Sequence, residues 1–176
     1  GSLIIKGGKI VTPNGVFEAG IAIEAGRIVA VAKNSHLPKA DKEIDASGKY
    51  IFPGAVDAHA HIYDPKFVYR EDFTTGTIAA AAGGVTTIID MVLQSPIDNP
   101  ERVQEKIAVG ENESLVDFSL HAGMMNQENH KWIPDIAKLG VASFKVFMCA
   151  PYQVDEETLS AIMQKVRQQH GIVDVH

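Results

Sequence analysis

His59 and His61 stand two residues apart, just beyond an apolar run that begins at Tyr50. Side chains two apart on a strand share a face, so Asp57, His59 and His61 can point the same way. Two imidazoles so placed can hold one metal ion, and imidazole suits Zn, Fe, Ni and Cu. Spacing alone does not separate this from a chance pair or a hydrogen-bonded core pair. The approach Phe52-Pro53-Gly54-Ala55-Val56-Asp57 favours a ligand pair, because it puts the histidines at the exit of a buried strand. Lys145 is the second residue with chemical potential. It sits inside Ser143-Phe144-Lys145-Val146-Phe147-Met148, where an unpaired ammonium is costly to bury. A lysine at a strand end can also extend its head group to water. The chemical readings are a base, a Schiff-base amine, or a carbamate. In the last, the neutral amine adds carbon dioxide and becomes an oxygen ligand able to bridge two metal ions. His176 is compatible with a further ligand or with an ordinary terminal residue. His121 reads as near the site or as a core histidine. His36, His130 and His170 read as surface residues, and Cys149 as a packed thiol.

These residues need elements to hold them, and the chain divides near residue 50. Before it, Leu3–Ile5, Lys9–Thr12, Phe17–Ile23 and Arg27–Ala32 are short β-branched runs separated by Gly7-Gly8, Asn14-Gly15 and Ala25-Gly26. Asn-Gly between such runs signals a hairpin. Gly1 and Ser2 read as an added leader outside this pattern. Residues 1–50 are therefore expected to form a small antiparallel β-unit with little core of its own.

After residue 50 apolar runs alternate with helical stretches. The runs are 50–56, 85–92, 115–120, 141–148 and 172–175; the helical stretches are 75–82, 100–111, 129–139 and 156–170. Asn99-Pro100 makes an N-cap and first-turn pair, and Gly83, Gly140 and Gly171 sit where helices stop. This repetition predicts parallel βαβ units. Every run carries an ionisable residue near its C-terminal end: the His59–His61 pair, Asp90, His121, Lys145, and Asp174 with His176. That edge is where parallel α/β folds build their sites. An eight-stranded barrel takes about 250 residues, more than the 176 present. Residues 51–176 are expected to be the first five strands of such a barrel, in a chain that is part of a longer protein.

Composition narrows the function classes. Sixteen Lys and Arg against twenty-two Asp and Glu give a net charge of −6, the wrong sign for a nucleic-acid footprint. No apolar run approaches the roughly 18 residues of a membrane span, and the single Cys149 excludes an internal disulfide. These features read as a globular, cytoplasmic protein with a small-molecule substrate, no nucleic acid and no membrane.

The chain resembles the amidohydrolase superfamily, and in particular its cyclic-amide branch of dihydroorotases, hydantoinases and allantoinases. The resemblance runs from Lys6-Gly7-Gly8-Lys9-Ile10-Val11, through Pro53-Gly54-Ala55-Val56-Asp57-Ala58-His59-Ala60-His61 and Gly83-Gly84-Val85-Thr86-Thr87, to Gly140–Lys145 and Val175-His176. It implies a partial TIM-type (β/α)8 barrel preceded by part of a small β-sandwich. It implies two divalent ions, most often zinc: His59 and His61 on the more buried one, carbamylated Lys145 bridging both, and His176 on the second. It implies hydrolysis of a cyclic amide by a bridging hydroxide, and a homo-oligomer, since members are commonly dimers or tetramers. The family's sixth-strand histidine and its eighth-strand aspartate, a ligand and proton shuttle, have no counterpart in these residues, so no catalytic side chain is assigned.

Substrate signals diverge. Tyr63 stands where dihydroorotases have a carboxylate-binding arginine and allantoinases an asparagine. Met91 is followed by Val92-Leu93-Gln94 where dihydroorotases continue Pro-Asn-Thr. The hydantoinase tyrosine position falls on Ala150, with Tyr152 two residues on. The Ala82–Thr87 segment is nearer the dihydroorotase and allantoinase side. Tyr63 and Tyr152 are the expected substrate-contacting residues. Two other readings are a non-catalytic homologue acting as a scaffold and a metal-independent Lys145 enzyme.

Overall fold

The computed structural model describes every residue except Val92 and Leu93. The end of the 85–92 run and two of the three residues after Met91 thus lie outside the described residues. Contacts divide the chain into two compact units, Gly1–Pro53 and Gly54–His176.

The first unit holds seven strands: β1 (Ser2–Lys6), β2 (Lys9–Thr12), β3 (Gly15–Glu18), β4 (Gly20–Glu24), β5 (Arg27–Ala32), β6 (Lys42–Asp45) and β7 (Tyr50–Ile51). They form two sheets, ordered β5-β4-β1-β6 and β3-β2-β7. The Asn14-Gly15 hairpin forms as expected, with Thr12 opposite Gly15. Ala25 and Gly26 both take positive φ in the tight turn between β4 and β5, the conformation such turns require. Ile10, Ala19 and Ile21 form the buried centre, with Ile5, Ile23 and Ile51 against it.

Three expectations fail here, each for a local reason. The 17–23 run is not one strand. It breaks at buried Ala19, and the chain passes from one sheet to the other. Strand β6 carries no apolar signal, because Lys42-Glu43-Ile44-Asp45 is a charged, exposed edge, as edge strands tend to be. It still pairs parallel to β1. Ser2 belongs to β1, and its amide donates to Asp41 Oδ2 at 2.8 Å.

The second unit has one sheet of five parallel strands in sequential order: β8 (Ala55–Ala60), β9 (Val85–Met91), β10 (Asp117–Ala122), β11 (Ser143–Val146) and β12 (Ile172–Val175). The 50–56 run is thereby split. Pro53 has no N–H for a ladder, and strand pairing resumes only at Ala55, whose amide donates to Gly84 O. Helices α1 (Phe73–Ala82), α2 (Pro100–Glu113), α3 (Ile133–Lys138) and α4 (Glu156–Gln168) connect the strands. Asp72, Asn99 and Asp155 cap α1, α2 and α4 by accepting from the amides of Thr75, Arg102 and Thr158. The expected 129–139 helix is instead a 3₁₀ turn at His130–Trp132 followed by α3, since Pro134 fits only a first helical turn. At the end of α4 it is His170, not Gly171, that takes the left-handed conformation.

The main core packs Phe144 and Val146 of β11 with Ile133 and Ile136 of α3 and Ile162 and Val166 of α4. A second cluster joins Ile62, Phe73 and Ile88. The sheet is curled: His121 of β10 reaches past β9 to bond Ala58 O of β8. Among the described residues, no helix is long and apolar enough to cross a membrane.

Candidate metal centre

His59 lies near the end of β8, and His61 just beyond it. Their rings meet edge-on with centroids 5.2 Å apart. The pairing of β8 with β9 slips between Asp57 and Ala60, and Asp57 Oδ1 accepts from the His59 amide at 3.1 Å. His61 Nδ1 lies 2.7 Å from Met91 O. A carbonyl only accepts, so Nδ1 carries a proton, and in the neutral ring the lone pair is then on Nε2, the arrangement typical of a ligating imidazole.

Burial, followed by the nearby charges of His61, Lys145 and His121, holds the His59 ring below the ordinary imidazole range. Lys145 shares a strand face with Ser143, which bonds His121, and the His121 ring stands 6.1 Å from that of His59. Protonation of His59 is therefore penalised in the fold. Its contribution makes folding less favourable as pH falls through the ordinary imidazole value and vanishes above it. In the metal-free, full-length protein the His59 ring is expected to titrate below the ordinary imidazole range by NMR. Lys145→Met should move that midpoint upward. A midpoint at or above the ordinary value would contradict the crowding of positive groups.

Lys145 is 6% exposed, and its Nζ lies 5.3 Å from the Phe147 ring centre. Among the described residues no carboxylate pairs with it. Nor do three His, Cys, Asp or Glu side chains gather there as a metal cluster; the third ring beside the pair is that of His121, 6.1 Å from His59. Gly123 lets the segment after β10 lie against it, and Met125 N donates to Lys145 O at 2.8 Å.

His176 follows β12, and its ring stands 5.2 Å from Phe147, whose other neighbour is Tyr152 at 5.7 Å. The structure sets His176 against Phe147, and among the described residues its recorded ring contact is with Phe147 and not with the His59–His61 pair. Tyr63 is 6.5 Å from the His61 ring, with the Arg70 guanidinium 5.6 Å from its own ring centre.

His121 is at the site yet unsuited to bind metal. Its Nε2 faces Ala58 O at 2.8 Å. Its Nδ1 lies 2.5 Å from Ser143 Oγ and 2.8 Å from Asp174 Oδ2, and Ser143 Oγ donates to that same carboxylate. Both ring nitrogens are committed to oxygens, leaving no lone pair outward. This interior network of His121, Ser143 and Asp174 is invisible in the sequence, because it joins three strands. Three smaller readings are corrected. Asp90 is not at the site: it is fully buried and paired with Lys106 of α2. Cys149 is exposed rather than packed. His130 is partly buried, with its Nδ1 shut away from water.

Comparison with known proteins bears on this arrangement. The model of the amidohydrolase family matches residues 50–176. An allantoinase of Deinococcus radiodurans is 38% identical over 148 residues, covering 83% of this chain and 33% of that protein. A dihydroorotase of Methanothermobacter thermautotrophicus is 42% identical over 129 residues, 73% of this chain and 29% of that one. The solved L-hydantoinase (dihydropyrimidinase) from Arthrobacter aurescens superposes with a TM-score of 0.90 at 31% identity, covering 99% of this chain and 40% of its own. The chain thus spans about a third of the length of the curated relatives it matches.

Proposed function

Because this chain belongs to the amidohydrolase family, and its five parallel strands are the first portion of a TIM-type (β/α)8 barrel, we propose that the protein it forms hydrolyses a cyclic amide with two divalent metal ions, zinc foremost. The observation that carries the reading is the His61 ring, whose Nδ1–H is tied to Met91 O, so that its Nε2 is offered beside His59 and Lys145. The donor set fits a metal pair: two imidazoles, one of them tied through Nδ1 to a carbonyl, and a buried lysine that would become an oxygen donor as its carbamate. His59 and His61 would hold one ion, Lys145 would supply oxygen donors as its carbamate, and His176 would serve the second. When bound, such ions lower the pKa of coordinated water and polarise the amide carbonyl.

The chain's own residues orient and enclose. Tyr63, beside His61, and Tyr152, beside Phe147, flank the approach and contact the ring substrate. The His121–Asp174–Ser143 network ties β10, β11 and β12 to the Ala58 carbonyl, which keeps His59 and Lys145 in register. Allantoinase, dihydroorotase and hydantoinase relatives all act, by name, on cyclic substrates, and the ring is proposed from that class. The setting is cytoplasmic and the assembly a homo-oligomer.

Metal content of the full-length protein tests this reading directly. Elemental analysis should find about two divalent ions per chain, with more retained when bicarbonate accompanies added zinc. A screen of hydantoins, dihydropyrimidines, dihydroorotate and allantoin should then show ring opening. A well-folded protein that takes up no metal under those conditions would sink the hydrolase and leave a scaffold homologue.

A further inference from the structure

Lys106 of α2 and Asp90 of β9 are both fully buried, with Nζ 2.8 Å from Asp90 Oδ2. Burial pushes the Asp90 carboxyl up and the Lys106 ammonium down, each countered in part by the other's charge. Buried ion pairs are weak sources of stability, since apolar replacements of similar volume are often neutral or better. What these two side chains bond to gives them a different role. Asp90 Oδ1 accepts from the Ile62 amide at 2.6 Å. Lys106 Nζ donates to Ile62 O at 2.5 Å and to Asp64 O at 2.8 Å. Ile62, directly after His61, therefore has both backbone groups held by the pair. Met91, directly after Asp90, supplies the carbonyl that holds the His61 ring at 2.7 Å. Asp64 is fixed in turn, its Oδ2 accepting from the Phe73 amide at the start of α1 at 2.6 Å.

We propose that Asp90 and Lys106 are positioning residues for His61: together they clamp the Ile62–Asp64 backbone so that the imidazole meets the Met91 carbonyl and presents Nε2 before any metal arrives. The inference rests on the metal-site reading of His59 and His61. Its physical basis is preorganisation. Bonds to charged partners are shorter and about twice as strong as neutral ones, and a ligand ordered in advance loses less entropy on binding. Groups that orient a ligating histidine are typically worth 10–100-fold in metal affinity.

The test uses the full-length protein and two variants. Lys106→Met keeps an unbranched side chain one atom shorter and removes the donors. The double change Asp90→Leu with Lys106→Met removes both charges together. Zn²⁺ titrated into metal-free samples against a competing chelator should bind roughly 10–100-fold more weakly in both. Nitrogen NMR should show His61 as the Nδ1-protonated tautomer in the metal-free wild type and a mixture in the variants. Variants that melt at a lower temperature but keep wild-type Zn²⁺ affinity and the wild-type His61 tautomer would reduce the pair to a structural role and overturn the proposal. If neither variant folds, amide exchange in the metal-free wild type decides. Protection of Ile62 as strong as that of buried Leu120 in β10 supports the clamp, whereas fast exchange that slows only with Zn²⁺ overturns it. A wild type that takes up no Zn²⁺ overturns the metal-site reading as well, a result separate from intact affinity in the variants.

Discussion

Lys145→Ala in the full-length protein is expected to lower the metal content from about two divalent ions per chain to one or none, and to cut ring opening by roughly a thousandfold or more, about 4 kcal/mol of transition-state stabilisation. The lysine is 6% exposed, its charge bears on the His59 ring, and no carboxylate pairs with it among the described residues. An ammonium in that place repels a divalent ion, and a carbamate attracts one. On the proposed reading the substitution removes a ligand, rather than only a charge. Two controls make the chemistry specific. Acetate or propionate added to Lys145→Ala should partly restore metal binding, because a small carboxylate can enter the space the side chain leaves. Lys145→Arg keeps a long cation that is always protonated and should stay empty and inactive. An active Lys145→Arg protein with full metal content would rule out the carbamate.

Much of this site was legible in the sequence, for identifiable reasons. A strand's period of two puts His59 and His61 together without any tertiary knowledge. Lys145 stands out because a charge inside an apolar run is expensive unless it has a task. What escaped was whatever depends on which face of the sheet turns inward. Asp90 ends its strand like the site residues do, yet it shares a face with Ile88, which packs with Ile62 and Phe73, and its partner is a helix lysine 16 residues on. Periodicity gives the spacing of a face and is silent on its direction. The partners of His121, which the sequence reads as near the site or in the core, escaped for the complementary reason. His121 lies inside, but its neighbours come from β8, β11 and β12, and only the curl of the sheet brings a β10 side chain across β9 to Ala58. In the first unit the 17–23 run reads as one strand despite Glu18 and Gly20, so its pattern does not separate the two strands that meet at Ala19. There Gly20 is the trace, since a Cβ on it would meet Ile5 O at 2.8 Å.

The second large effect is expected from Gly123→Ala, a single added methyl that touches no proposed ligand head group. Gly123 takes φ +153, and a Cβ there would lie 2.8 Å from Lys145 Cβ and 2.9 Å from Lys145 O. Both obstacles belong to the frame of β11, so no flexible side-chain end can swing aside. Its amide donates to Ile97 O, and Met125, two residues on, donates to Lys145 O, so the segment is held on both sides and cannot simply lift away. Overpacking of this kind costs about 1–3 kcal/mol, and a side chain in a sparsely populated backbone region adds about 1–3 kcal/mol. With about 2–4 °C lost per kcal/mol in a domain of this size, melting should fall by roughly 5–20 °C. The metal site should suffer beyond that loss. If β11 gives way, Lys145 moves relative to His59 and His61, and metal content in the still-folded protein at low temperature drops with it. If the Gly123 segment gives way instead, metal content stays near the wild-type level while melting falls. Elemental analysis and thermal unfolding of the same sample separate these outcomes, and the first is expected. The main core packs Phe144 and Val146, on either side of Lys145, at 0% exposure, so any displacement of the strand carries Lys145 with it and out of line with the histidine pair.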